Sequence, residues 1–206
     1  MTMNTTEAIA PNPLPRLFVI RHGETPWSLS GQHTSRTEVD LTPRGREEAT
    51  RLGGRLGGLA FQQVFSSPRV RARQTCELAG LAATMKIEPD LAEWDYGDYE
   101  GKLASEIHQH QPDWNIYHDG CPHGESPDQI AARADRLIAR LRVLSGNIAL
   151  FSHGHFSRVL AARWIGLPVP IASHLIIHTA SLGILTFDQN RSMPAIELWN
   201  STGDIQ

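Results

Sequence analysis

A short unbroken apolar run, Leu17-Phe18-Val19-Ile20, has the pattern of a strand covered on both faces, as in a parallel sheet. Similar runs near 61–65 and over 147–151 predict two more strands. Each run ends in polar residues: Arg21-His22-Gly23-Glu24-Thr25 after the first, Ser66-Ser67-Pro68-Arg69 after the second and Ser152-His153-Gly154-His155 after the third. Helical periodicity fills the gaps. Thr42-Pro43 sets a capping hydroxyl before a first-turn proline, and Ala49, Leu52, Leu56 and Leu59 recur on one face. Ser67-Pro68 repeats that start for a helix carrying Arg71, Ala72 and Thr75. Ser126-Pro127 opens a third helix, whose stripe of Ile130, Ala134, Leu137, Leu141 and Leu144 stops at Gly146. A fourth spans about 155–164, and two closing strands, 182–188 and 195–199, flank a turn at Gln189-Asn190-Arg191-Ser192.

Strands alternating with helices predict an α/β protein, a three-layer α/β/α sandwich with a mostly parallel sheet and helices on both faces. Ligands of such sheets bind beyond the carboxyl ends of the strands, where His22, residues 66–71 and His153 all fall. Residues 98–124, rich in His, Pro and Gly, read as a lid over that site. Residues 1–15 read as a flexible tail, which leaves 16–206 as a single domain, and 206 residues suit one core.

Composition narrows the partners. Hydrophobic residues make up 40 %, typical of a globular chain, and a mean hydropathy of −0.29 with scattered charge predicts no transmembrane helix. Nineteen basic residues against 22 acidic ones give a net charge of −3, so nothing drives the chain toward nucleic acid or an anionic membrane. Two cysteines, Cys76 and Cys121, make neither a disulfide framework nor a zinc site, and the start lacks the pattern of a signal peptide. The expectation is a reduced, cytoplasmic protein.

The three polar tips offer histidines, arginines and small hydroxyl residues without a carboxylate cluster for Mg²⁺. That is the composition of an anion site, and phosphate fits it, because guanidinium groups match phosphate oxygens with paired hydrogen bonds and helix starts add backbone N–H groups. A histidine among cations is held neutral, with a lone pair available for attack on phosphorus. His153 and His155 flank one glycine as a metal-binding pair would, but no third ligand has suitable spacing, so neither a metal nor a cofactor is expected.

Arg21-His22-Gly23-Glu24 after a strand resembles the signature of the histidine phosphatase superfamily, which includes phosphoglycerate mutases and metal-independent phosphatases. Three further segments match: 66–75 resembles the family's second arginine segment, Glu93 ahead of Tyr96-Gly97 its acid, and Ser152-His153-Gly154 its second histidine. Within the superfamily, the strings 27–34, 67–75, 93–101 and 198–200 are similar to those of the sedoheptulose bisphosphatases, although His33 stands where those carry tyrosine. The resemblance implies a phosphoglycerate mutase-like fold, His22 as nucleophile, Glu93 as proton donor, and Arg21, Arg71 and a protonated His153 as the phosphate cage.

By the same resemblance and by position, Ser28 and Thr34 are assigned to phosphate, with loop capping as the competing account. Gln32, His33, Arg69, Arg73 and His123 are assigned to substrate, and Arg36 is a further candidate for a remote phosphate. His155 is read as structural or as part of the rim. The expected activity is hydrolysis of a small phosphorylated metabolite, a sugar bisphosphate such as sedoheptulose bisphosphate, through a phosphohistidine. Mutase-type phosphoryl transfer and a non-catalytic phosphate-binding regulator are the alternatives.

Overall fold

The computed structural model describes residues 14–188 and 192–203. Thirteen of the fifteen residues expected to form the tail therefore lie outside it, as does most of the turn before the last strand. The first strand, β1 (Pro15–Arg21), begins at the tail's expected last residue. Leu17, Phe18, Val19 and Ile20 are all fully buried. Alternation sends Leu17 and Val19 into one core and Phe18 and Ile20 into another, so β1 is the sheet's central partition. Each such side chain contributes about 2 kcal/mol by leaving water.

Six strands form one sheet in the order β3-β2-β4-β1-β5-β6, with β2 at Gln63–Ser66, β3 at Met85–Ile87, β4 at Gly146–Ser152, β5 at Leu182–Phe187 and β6 at Pro194–Ser201. The first four run parallel; β5 is antiparallel to β1, and β6 is antiparallel to β5. Helices cover both faces, giving the expected three-layer sandwich. On one face lie α2 (Pro43–Leu56) and α3 (Val70–Leu78), and on the other α6 (Pro127–Leu141) and α7 (Gly154–Trp164). Thr42 caps α2 by accepting from the Gly45 amide, and Ser126 and Gln129 form a reciprocal capping box on α6.

Register decides where the site lies. Arg21 pairs with Ser152 and Ser66 with Phe151, so the residues that follow each strand, His22, His153 and Ser67, emerge at one level on one edge. Two backbone bonds continue the ladder past the strands, from His22 N to Ser152 O and from Ser67 N to Phe151 O.

Three features depart from the sequence expectation. Helix α3 starts at Val70, not at Pro68, because the Ser67 hydroxyl faces a histidine and only weakly meets the Arg69 amide. The short edge strand β3 and the five-residue α1 (Pro26–Ser30) are too brief to leave a periodic signal. Residues 98–124, expected as a lid, contain α4 (Ala104–His108) and α5 (Ile116–Asp119) and bury Tyr99, Ile107, Trp114, Ile116, Tyr117 and Cys121 in the core beside α6 and α7. This stretch is a packed wall of the molecule.

Candidate active site

His22 follows β1 and is 5 % exposed. Its Nδ1–H donates to the carbonyl of Gly23 at 2.8 Å; a carbonyl only accepts, so the proton sits on Nδ1 and the lone pair on Nε2. Burial first, then the charges of Arg71 and Arg21, hold this imidazole well below its ordinary value of 6.5, in its neutral form. The loop that aims it is locked by contact. A Cβ on Gly23 would stand 2.4 Å from the Gly45 carbonyl oxygen, and one on Gly45 would stand 2.1 Å from that of Glu24, so two glycines let this loop lie against the start of α2. Thr75 Oγ1 receives the Gly23 amide and passes its own proton to the Arg71 carbonyl. Glu24 serves the same loop, accepting from Thr42.

Arg71 is fully buried on α3. It donates to the carbonyls of Thr34, Ser35 and Thr37 and, through Nε, to His153 Nδ1 at 3.2 Å. His153 in turn meets the Ser67 hydroxyl at 2.7 Å through Nε2, and its ring centre lies 5.2 Å from that of His22. Nδ1 accepts from a guanidinium, so His153 is neutral in this arrangement, in which burial, then Arg71, push its pKa well down. Neither Arg71 nor His153 has any exposed surface, so both stand behind His22, walled off from solvent.

In front of His22 lies a cavity of about 160 Å³ lined by Arg21, His22, Ser28, Gln32, His33, Thr34, Glu93, Tyr96, His155 and Arg158 among others. Arg21 gives Nη1–H to the Ile177 carbonyl, while its buried Nε–H has no partner among the described residues. Among the described residues, Arg21, Arg71 and Arg158 bond only to carbonyls and an imidazole, never to a carboxylate. Three guanidinium groups against one buried carboxylate, Glu93, which acts on Arg21 and Arg71 through space, leave a net positive charge that favours a bound anion. Glu93 sits at the start of α7, its carboxylate accepting from the amides of Trp94, His155 and Phe156 while one edge faces the cavity. Among the described residues no three His, Cys, Asp or Glu side chains gather as metal ligands, and no helix is long and apolar enough to cross a membrane.

The family model for the histidine phosphatase superfamily (branch 1) matches residues 17–202. The chain belongs to that superfamily. It is 46 % identical to an acid phosphatase of Mycobacterium tuberculosis over 84 % of this chain and 87 % of that one. It is 38 % identical to the sedoheptulose 1,7-bisphosphatase of Saccharomyces cerevisiae, covering 77 % of this chain and 70 % of the relative. The solved structure of an open reading frame product from M. tuberculosis superposes with a TM-score of 0.85 at 42 % identity, over 90 % of this chain and 96 % of the other. The fold is thus phosphoglycerate mutase-like, and this histidine phosphatase is a phosphoric monoester hydrolase.

Not every residue assigned from the sequence reaches its cavity. Ser28, Gln32, His33 and Thr34 line it, but Ser28's hydroxyl is committed to the capping box of α1 and Thr34's to the Gln32 carbonyl. Arg69, Arg73 and His123 lie away from it. Arg69 pairs with Glu38, Arg73 points to solvent from the far face of α3, and His123 is an exposed partner of Asp98. Arg36 is likewise held by Asp95. Conversely His155, read as structural or as part of the rim, faces the cavity, and so do Tyr96 and Arg158, to which the sequence reading assigns no site role. Arg158 had a detectable signal: it sits one turn along α7 from His155, so a helix whose first turn faces the site aims that position there too.

Proposed function

We propose that this chain hydrolyses small phosphorylated metabolites, sugar bisphosphates such as sedoheptulose bisphosphate among them, through a phosphohistidine on His22 and without a metal ion. The observation that carries the reading is the fixed tautomer of His22, whose Nε2 lone pair opens on a cavity shared with Arg21 and Glu93. The lone pair attacks phosphorus in line, the P–O ester bond breaks, and its electron pair leaves on the substrate alkoxide. Glu93 gives that alkoxide a proton and recovers one from the water that then cleaves the P–N bond. Arg21, which lines the cavity, meets the phosphate oxygens with its guanidinium, and Arg71 and His153 close the cage from behind.

Arg158 supports a second phosphate, since it brings another cation to the same cavity with Nε and Nη2 tied to the Ala172 and Ser173 carbonyls. The yeast relative named for a bisphosphate supports it as well. The test is phosphate release from a panel of sugar mono- and bisphosphates in the presence of EDTA, with a labelled phosphoglycerate included to detect isomer exchange. Release that persists with EDTA is expected, and His22→Ala should abolish it, at least 10³-fold, with the fold intact. Undiminished release by that variant, or activity destroyed by EDTA, would overturn the mechanism.

A further inference from the structure

We infer that His33 and His155 form a hydroxyl-reading pair on the wall of the cavity, selecting phosphate esters whose leaving group is a polyhydroxylated alcohol. The inference rests on the phosphatase reading above and specifies its substrate class.

Both rings line the same cavity as His22 and Glu93, and both have Nδ1 committed to the protein. His33 donates Nδ1–H to the Lys102 carbonyl at 2.8 Å, so its Nε2 carries a lone pair. His155 Nδ1 lies 2.6 Å from the Tyr96 hydroxyl. That hydroxyl, buried with its ring, has no other acceptor among the described residues; its proton goes to Nδ1 and His155 presents Nε2–H. One ring therefore offers an acceptor and the other a donor, and neither Nε2 has a protein partner among the described residues. An alcohol both donates and accepts, so neighbouring hydroxyls of a sugar satisfy the pair, whereas an aromatic leaving group leaves both atoms unmatched.

The pair is held still by packing. The two imidazoles are nearly parallel, 12° between planes and 6.1 Å between centres. Tyr96 stands edge-on to both, Trp114 backs His33 and Tyr117 backs His155. Burial keeps both rings neutral, with Arg158 adding to the effect on His155. Position completes the case: the His155 amide holds the Glu93 carboxylate, so its ring stands beside the acid that would meet the departing oxygen.

The experiment compares kcat/KM for fructose 1,6-bisphosphate and for phenyl phosphate, which lacks hydroxyls. In His155→Phe and in His33→Phe, each keeping a ring in place, the sugar-to-aryl ratio should fall about tenfold or more, as expected when a buried polar match is lost. His155→Gln, which restores a donor, should recover part of it. Tyr96→Phe, which releases the imidazole from its fixed orientation, should lower the ratio less. If both substrates lose activity in equal proportion, or the ratio stays at its wild-type value in both phenylalanine variants, the pair does not read hydroxyls. A wild-type protein that releases phosphate from neither ester would instead remove the phosphatase reading on which the inference stands.

Discussion

The two sides of His22 are built on opposite terms. Behind it, Arg71, His153, Ser67 and Thr75 are buried, and their hydrogen bonds run to one another or to backbone. In front of it, Arg21, His33, His155 and Arg158 each tie down part of the side chain and leave a polar atom toward the cavity. The rear is finished within the protein and the front awaits a ligand. A site divided this way keeps its chemistry independent of its selectivity: the rear fixes the nucleophile and holds it neutral, while the front can vary with the alcohol. Substitutions behind His22 should therefore lower stability and every substrate's turnover together, and those in front should re-rank substrates at little cost to the fold.

The largest departure from wild type is expected at Arg71. Arg71→Met fills similar space but abandons three carbonyls and His153 Nδ1 in the interior. Segment 34–37, part of the cavity wall through Thr34, loses its anchor at the same time. A loss of about 3–5 kcal/mol in urea unfolding is expected, with kcat/KM on sugar and aryl phosphates falling at least a hundredfold alike. A stable variant with only an altered substrate ratio would show that Arg71 belongs functionally with the front of the site.

This division also explains what could be read in the sequence. The nucleophile and the rear lie in short strings, His22-Gly23-Glu24, Ser67 to Thr75 and Ser152-His153-Gly154, placed by strands whose apolar runs are unambiguous; a strand tip leaves its residues few places to go. The front is assembled from α1, the loop at 32–34, Tyr96 and the first turns of α7, which meet only through tertiary packing. Arg69 and Arg73 flank Arg71 in sequence, yet helical geometry turns Arg73 away from it, and Arg69, the extended residue before α3, is held by Glu38. His123 drew attention as a lone histidine in a glycine-rich stretch, and that stretch folds into a packed wall that leaves it outside. His155 stands one glycine from His153, and at a helix start that spacing turns the two side chains in different directions, which puts His155 on the cavity wall where the sequence allows only a structural or rim position.

A smaller effect separates the sides by acidity. His22, His33, His153 and His155 all have folded pKa values pushed below the ordinary 6.5, chiefly by burial. Below pH 6.5 the unfolded chain takes up protons that the folded one refuses, so stability is fully present above that pH and falls as pH drops toward each ring's depressed value. Each ring contributes at most about 1.4 kcal/mol per pH unit in that window. Urea midpoints measured from pH 7.5 to 5 should decline, and His155→Phe, by deleting one of the four, should flatten the decline by about one proton's worth. A slope unchanged by that substitution would mean that His155 takes up its proton as readily folded as unfolded, and the front of the site would then be wetter than its packing indicates.

The smallest effect is expected at Arg73, and it tests whether the site has been bounded correctly. Arg71 and Thr75 define the buried face of α3, and Arg73, two residues from each, lies on the opposite side in solvent. Arg73→Ala should leave stability within about 0.5 kcal/mol of wild type and kcat/KM within about twofold on every ester. Arg158→Ala provides the contrast, since it removes a cavity-lining cation and should weaken bisphosphates more than monophosphates. Were Arg73→Ala to show that bisphosphate-selective loss instead, the second phosphate would bind across α3, outside the cavity, and the open side of the site would have to be redrawn around the helix surface.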